Sequence, residues 1–373
     1  MRVTAQIVSI IAMSIEISVV VPTCRRPELL ERCLAALMEQ DFHPAAYEII
    51  IADDALCDET RAIVERWALW SAVVADAVAL GERGYERAHE SVPHAALDVI
   101  EAAPPISAVD RQPSVRYIAV TGAHGPAAAR NAGWRAARGA IIAFTDDDCI
   151  PDPGWLRAGA SAFTDGVAGA QGQIVVPLPE RPIDYERDAA GLAGAEFATA
   201  NCFYRREALA AVGGFDERFS AAWREDSDLF FTLLERGHEL VRAPGAVVVH
   251  PVRPARWGVS LRQQRKSMFN ALLYKKHPAL YWRRIQPAPP WAYYASLGAL
   301  VLGLAGAARG RRRGLIGGAL WALLTARFCA RRLCQTSRAP RHVAEMLVTS
   351  ALIPPLAIFW RVRGAIKFRV WFL

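Results

Sequence analysis

Two apolar runs in this chain each stop at a group of aspartates: IIIADD at 49–54 and AIIAFTDDD at 140–148. A short continuous apolar run bounded by polar residues is the pattern of a strand buried on both faces. Such strands belong to largely parallel sheets covered by helices on each side. In sheets of that kind ligands collect beyond the carboxyl ends of the strands, so both aspartate groups are expected to face one crevice. Three adjacent carboxylates there repel one another unless a cation or hydrogen-bond donors compensate. Oxygen-only ligands suit a hard divalent ion, Mg2+ or Mn2+, together with an anionic partner such as a diphosphate.

The rest of the first 250 residues keeps the same rhythm. Strands are expected over 15–21, 47–52, 115–121, 140–145, 167–176 and 245–250. Helices are expected over 27–39, 58–70, 126–138, 155–163, 205–212 and 226–236, with Leu29, Leu30, Cys33, Leu34 and Leu37 at helical spacing in the first. Alternation of this kind predicts a doubly wound α/β domain. Residues 71–113, with a Pro-Pro pair, break the rhythm and read as a surface insertion, partly helical. Residues 1–14 read as an extension before the first strand, with Met13 a candidate for the native start. Glu225-Asp226 opens a helix, whose N-terminus favours an ionised acid, and a carboxylate beside a bound hydroxyl can act as a general base.

Charge divides the chain sharply. The overall balance is +7, yet residues 1–250 carry −14 and residues 251–373 carry +21, with Glu345 the single acid of the tail. A hydrophobic share of 53% with 22% charged residues excludes a disordered chain. The tail holds apolar stretches at 291–308, 315–326 and 343–360, the last interrupted by Pro354-Pro355, and a basic segment at 257–276 with one apolar stripe. Those stretches favour a membrane over nucleic acid as the partner of the basic tail, with the 257–276 helix lying in the interface and the others spanning or re-entrant. Arginines 309, 311, 312 and 313 should stay cytoplasmic. The seven cysteines show no zinc spacing and read as reduced thiols.

Four segments in order, VVVPTCRRPELLERCLAAL (19–37), IIIADDALCDET (49–60), GPAAARNAGWRAARGAIIAFTDDDCIPDPGWL (125–156) and GGFDERFSAAWREDSDLFFTLLERGHEL (213–240), resemble the family 2 glycosyltransferases of the GT-A fold. The resemblance spans about 15–250. It implies that Pro22, Thr23, Arg25, Asp53 and Asp54 line the nucleotide base and ribose, with Ala55-Leu56 standing where the family usually has Gly-Ser. It places Arg130 and Asn131 beside the nucleotide and makes Asp146 and Asp148 the DxD pair, with Asp147 also bordering the nucleotide sugar. Asp148, Asp146 and His250 become the metal ligands. Asp226 becomes the catalytic base with Glu225 at its side, and Gly213, Gly214 and Phe215 a loop near sugar and acceptor.

The expected molecule is therefore an α/β, Rossmann-like GT-A domain over 15–255, its doubly wound sheet mixed, followed by a helical, membrane-associated region over 256–373. Its expected activity is inverting, metal-dependent transfer of a hexosyl unit from a nucleotide-diphosphate sugar to a lipid-linked or cell-envelope glycan acceptor, at the cytoplasmic face of the membrane. A nucleotidyltransferase is the nearest alternative, and a non-catalytic, membrane-anchored nucleotide-sugar-binding protein another. If the motifs alone make the domain, a cut after about Pro254 should free a soluble acidic fragment.

Overall fold

The run ISVVVPT forms β1 (Ile17–Thr23) and YEIIIAD forms β2 (Tyr47–Asp53), and every residue of both is buried. β-Branched residues dominate both because they fill a pleated surface packed on two sides. Their side chains alternate: Val19, Val21, Ile49 and Ile51 enter one core with Leu30, Leu34 and Trp155, while Val20 and Ile50 enter the other with Phe144, Trp134 and Phe215. The computed structural model describes residues 14–80, 112–310 and 312–372. Nearly all of the expected N-terminal extension, the middle of the 71–113 insertion and Arg311 lie outside those residues.

Six further strands complete one sheet: β3 (Ser114–Ala119), β4 (Ile141–Phe144), β5 (Ile150–Pro151), β6 (Val167–Val175), β7 (Cys202–Arg205) and β8 (Glu239–Val249). Their order is β3-β2-β1-β4-β7-β6-β8-β5. β3, β2, β1 and β4 run parallel, whereas β7 is antiparallel to both β4 and β6. The fold is thus the mixed, doubly wound GT-A sheet expected. The chain moves outward from β1 through β2 to β3 and returns to β4 on the other side of β1, so the carboxyl ends of β1 and β4 flank a topological switch point.

The first helices are α1 (Pro27–Met38) and α2 (Asp58–Leu80). The second runs on past the expected end near residue 70, and Ser71 Oγ donates to the Pro113 carbonyl at 2.7 Å, so the two ends of the insertion meet. Then come α3 (Pro126–Ala136), α4 (Trp155–Ser161), α5 (Asp184–Ala189), α6 (Arg206–Val212) and α7 (Glu225–Glu235). Within the sheet, Ser18 Oγ, Arg116 and Arg138 all donate to the buried Glu48 carboxylate. Burial alone would raise that carboxyl, but the bonds from Arg138, Ser18 and Arg116 hold it below its usual range.

The tail departs from expectation at two points. The 257–276 segment is α8 (Val259–Gln263), a 3-10 turn (Gln264–Met268) and α9 (Phe269–Lys276), and the later part of its apolar stripe faces the protein while Trp257 is exposed. Met268, Phe269, Leu272 and Leu273 are buried in the same core as Phe144, Phe215 and Phe219, joined there by Tyr281 and Phe372. An apolar stripe is satisfied equally by lipid or by protein, and here the sheet domain supplies the partner. The prolines do not interrupt the last helix either. α10 (Trp291–Ala307) and α11 (Arg313–Leu333) form an antiparallel hairpin, and α12 (Pro340–Phe368) runs unbroken through Pro354 and Pro355. At Gly317 an added Cβ would lie 2.5 Å from the Gly303 nitrogen, so the hairpin closes on glycine. Among the described residues α12 alone is long and apolar enough to cross a membrane, with a mean hydropathy of 1.7 over its best stretch, a third of which is buried against the protein.

Polar contacts also fasten the tail. Arg332 of α11 reaches Asp184 of α5 at 2.6 Å and donates to Thr349 and Ser350 of α12, while Glu345 accepts from the Gly258 N–H at 2.7 Å. Truncation after Pro254 should therefore expose Phe144, Phe215 and Phe219 rather than free a stable domain. The expected outcome is an aggregating fragment without a cooperative thermal transition, checked by circular dichroism melting and gel filtration against the full chain.

Candidate functional site

Strand ends set the positions of the acidic residues, and the three consecutive aspartates after β4 meet three different fates. Asp147 is buried and accepts from Thr23 Oγ1 at 2.8 Å and Arg26 Nη1 at 2.9 Å, tying the end of β1 to the end of β4. Burial pushes its carboxyl up, Arg26 opposes that, and Asp148 adds to it. Each of its oxygens accepts one of these bonds, so Asp147, expected to border the nucleotide sugar, here joins β1 to β4. Asp146 turns to Arg130, whose Nη2 lies 2.8 Å away. Asp148 faces His250 and Arg253: His250 Nε2 is 3.5 Å from one oxygen and Arg253 Nε is 2.9 Å from the other.

Ligand atoms of Asp148, Cys149 and His250 lie within 4.8 Å of one another. A carboxylate oxygen and an imidazole nitrogen suit Mn2+ or Mg2+. The Cys149 thiol is pushed well up by burial and directed at the Ala200 carbonyl, so it stays protonated and is no partner for a hard ion. Asp148 and His250 therefore fit a divalent cation, while Asp146, the third expected ligand, has one oxygen on Arg130 and a partly exposed side chain.

Asp53 closes β2 with its carboxylate fully buried, accepting from the Ala55 and Cys57 N–H groups and from the Tyr117 hydroxyl. It shapes the turn into α2, at the position expected to line the nucleotide base and ribose. Asp54 accepts from the Gly125 N–H at 2.9 Å and lies 3.0 Å from His124 Nδ1, which pins the loop entering α3. Gly125 has φ of +110°, and an added Cβ would meet the Ser220 carbonyl at 2.9 Å, so glycine is required there. Pro22 and Thr23 are buried at the end of β1 and Arg25 is exposed beyond it with φ of +54°.

Helix α3 delivers Arg130 and Asn131. Arg130 is buried and bridges two carboxylates, with Nη1 2.9 Å from Glu225 and Nη2 on Asp146. Asn131 Nδ2 donates to the Phe215 carbonyl and to Glu217, and its oxygen accepts from the Phe215 N–H and from Trp134 Nε1. Asn131, expected beside the nucleotide, clamps the Gly213–Gly214–Phe215 loop. Gly214, at φ of +77°, lies so close that an added Cβ would meet Asn131 Oδ1 at 2.5 Å. Phe215 turns inward, edge-on to Phe144 with ring centroids 5.2 Å apart.

The acids of α7 differ from each other in the same way. Glu225 is buried, held by Arg130 and by the Trp223 N–H at 2.7 Å. Asp226 remains partly exposed and accepts from the Ser227 N–H at 2.6 Å. Burial raises both carboxyls, opposed at Asp226 by the Ser227 N–H, Arg224 and Arg130, and raises Glu225 further through Asp226. Behind them, Lys276 and His277 of the α9 end reach Asp228 at 2.7 and 3.2 Å and hold α7 in place. Sequence reasoning missed Arg26, Arg253, Lys276 and His277. Arg253 lies three residues past His250, close enough in sequence to have been suspected.

Residues 18–74 and 97–220 match the family model for glycosyl transferase family 2. Glycosyltransferase AglE of Haloferax volcanii is 25% identical over 260 residues, 66% of this chain and 70% of that one. The pre-mycofactocin glycosyltransferase of Mycobacterium tuberculosis is 34% identical over 145 residues, 35% of this chain and 30% of that protein. Among solved structures, a Pyrobaculum calidifontis mannosyltransferase in complex with GDP-Man and Mn2+ is 20% identical with a TM-score of 0.47, covering 95% of this chain and 87% of that one.

The Arg130 bridge makes a stability prediction. Arg130→Met leaves the buried Glu225 carboxylate without its cation and should cost about 3–5 kcal/mol, read by urea denaturation. Adding Glu225→Gln should recover part of that loss, since the lone buried charge is then removed.

Proposed function

From its membership of glycosyl transferase family 2, to which this chain belongs, we propose that the protein transfers a hexosyl unit from a nucleotide-diphosphate sugar to an acceptor hydroxyl, with inversion at the anomeric carbon. The observation that carries this reading is the Arg130 bridge. One side chain joins Asp146, at the end of β4 where a diphosphate would lie, to Glu225, the neighbour of the one partly exposed acid in the first turn of α7.

Asp226 is the base. It stands in the first turn of α7, where the helix dipole favours its ionised form, while burial raises its affinity for a proton. A carboxylate so balanced accepts the acceptor's proton more readily than an ordinary surface aspartate. The Ser227 N–H and hydroxyl fix its direction, and Asn131 holds the Phe215 loop. Asp148 and His250 would hold Mg2+ or Mn2+, which when bound offsets the charge developing on the departing nucleoside diphosphate. Arg253, in contact with Asp148, is positioned to meet a phosphate oxygen.

We assign the catalytic domain to 15–255 and a role in membrane attachment to 256–373. The exposed Leu315, Ile316 and Leu323 of α11, Leu302 and Leu304 of α10, and the +21 balance of the tail support attachment at the cytoplasmic face, where nucleotide sugars are made. A lipid-linked or cell-envelope acceptor is in keeping with that position.

Asp226→Asn should leave donor binding near wild type and lower turnover by on the order of 10²–10⁴, the usual worth of a general base. Nucleoside diphosphate release with saturating donor measures this, and wild-type rates would place the base elsewhere. Asp148→Asn should abolish turnover and weaken nucleotide binding chiefly when Mn2+ is present, as titration calorimetry with and without the ion would show.

The pH profile follows from the same geometry. A base works only when deprotonated, and burial raises the carboxyl of Asp226. The rate should therefore fall as pH drops through a midpoint above the ordinary aspartate value of about 3.9. A kcat profile flat down to that ordinary value would be inconsistent with Asp226 as base.

A further inference from the structure

An open pocket of about 530 Å³ lies on the outer side of the loop that follows Phe215, lined by Arg218, Ser220, Leu272, Lys275, Lys367, Phe368 and Arg369. Four of these seven residues are cations, all exposed, and none is an acid. Leu272, almost fully buried, and the partly buried Phe368 make the apolar part of the lining. Arg218 is neutralised by Asp216, and Lys275 donates to the Phe368 carbonyl. Lys367 touches only the faces of Phe269 and Phe368, and neither it nor Arg369 has an ion-pair partner among the described residues. Like charges gathered around a concave mouth focus a positive potential there, which an anion relieves.

Two features say which anion. Ser220 lines the pocket with its side of the loop and, through its carbonyl, abuts Gly125 at the entrance to α3, so the pocket shares a wall with the proposed active cleft. The other wall is the end of α12, whose Phe359, Val362 and Ile366 form an exposed apolar stripe at i, i+3 and i+7, continued by the exposed Trp371. Cations next to an exposed apolar stripe match a molecule with a phosphate at one end and a hydrocarbon chain at the other. Resting on the transferase reading above, we propose that this pocket seats the phosphate group of a lipid-borne acceptor, with Lys367 and Arg369 as its principal partners. The acceptor hydroxyl would then enter the cleft past the 216–220 loop while the hydrocarbon lies along α12. A soluble phosphate shares the headgroup's charge but gains nothing from the stripe.

The test uses the full-length chain and phosphatidylcholine vesicles with and without phosphatidic acid, in flotation assays at physiological salt, where exposed charges are screened beyond about 8 Å. Lys367→Gln with Arg369→Gln should weaken binding to the phosphatidic acid vesicles by roughly tenfold, the worth of losing charge-assisted contacts to a phosphate. Binding to plain phosphatidylcholine should be unchanged. Arg309→Gln with Arg312→Gln removes the same charge from the hairpin turn, outside the pocket, and should change binding little. An equal loss in both variants would overturn the proposal in favour of diffuse attraction to the basic tail. Inorganic pyrophosphate is the free-phosphate arm, and binding as tight as that of the vesicles would overturn the lipid source. UDP and GDP binding with Mn2+ is measured on the same samples. A chain that binds neither nucleotide, yet discriminates phosphatidic acid through Lys367 and Arg369, would sink the donor reading and keep the pocket.

Discussion

A single guanidinium holds the centre of this molecule together. Arg130 is buried, and burial of a cation is costly unless opposite charges and hydrogen bonds answer it. Asp146 and Glu225 answer it at 2.8 and 2.9 Å, and each comes from a different part of the chain. Asp146 follows a central strand, Glu225 opens a helix well downstream, and Arg130 itself rides on α3. The bridge therefore fixes the distance between strand end and helix start, which is the distance that matters for chemistry. Arg130 needs α3 to be docked, and α3 is docked through Gly125, Asp54 and the Asn131 clamp on the Phe215 loop.

Seen from that bridge, the acidic residues divide by what is left for them to do. Asp53 and Asp147 have given their oxygens to backbone N–H groups, Thr23, Tyr117 and Arg26, and they shape the cleft from inside. Glu225 is committed to Arg130. Asp148 and Asp226 retain directions that a ligand could use, one toward His250 and the other toward solvent. Paired acids in this site are thus pairs of unlike members, one structural and one available for chemistry, because a buried carboxylate needs donors and a reactive one needs access.

The C-terminal region belongs to the same body. Phe269, Leu272, Leu273, Tyr281 and Phe372 complete a core begun by β4 and the Phe215 loop, and Lys276 and His277 brace the helix that carries Asp226. What α10, α11 and one side of α12 keep outward includes large apolar side chains, Leu302, Leu304, Leu315, Ile316 and Leu323 among them.

The alternation of apolar runs and helical stripes was enough to place six of the eight strands, because a strand buried on both faces leaves a pattern that few other structures produce. The same pattern drew attention to the acids at 146–148 and 225–226, at a strand end and a helix start, while the roles of Asp148, His250 and Asp226 came from the family resemblance. The pattern missed the two-residue β5 and the short β7, whose pairing is made by neighbours rather than by their own composition. Composition and spacing could not separate Asp147 from Asp148, or Glu225 from Asp226, and only the family resemblance did, because neighbours in sequence differ only in which donors the fold brings to them. Nor could they say whether the stripe of 257–276 would meet lipid or protein, because both bury apolar surface with the same gain. The partners themselves were brought by tertiary structure alone: Thr23 and Arg26 reached Asp147, Arg130 reached Glu225, and Phe144, Phe215 and Phe219 took the stripe before any membrane could.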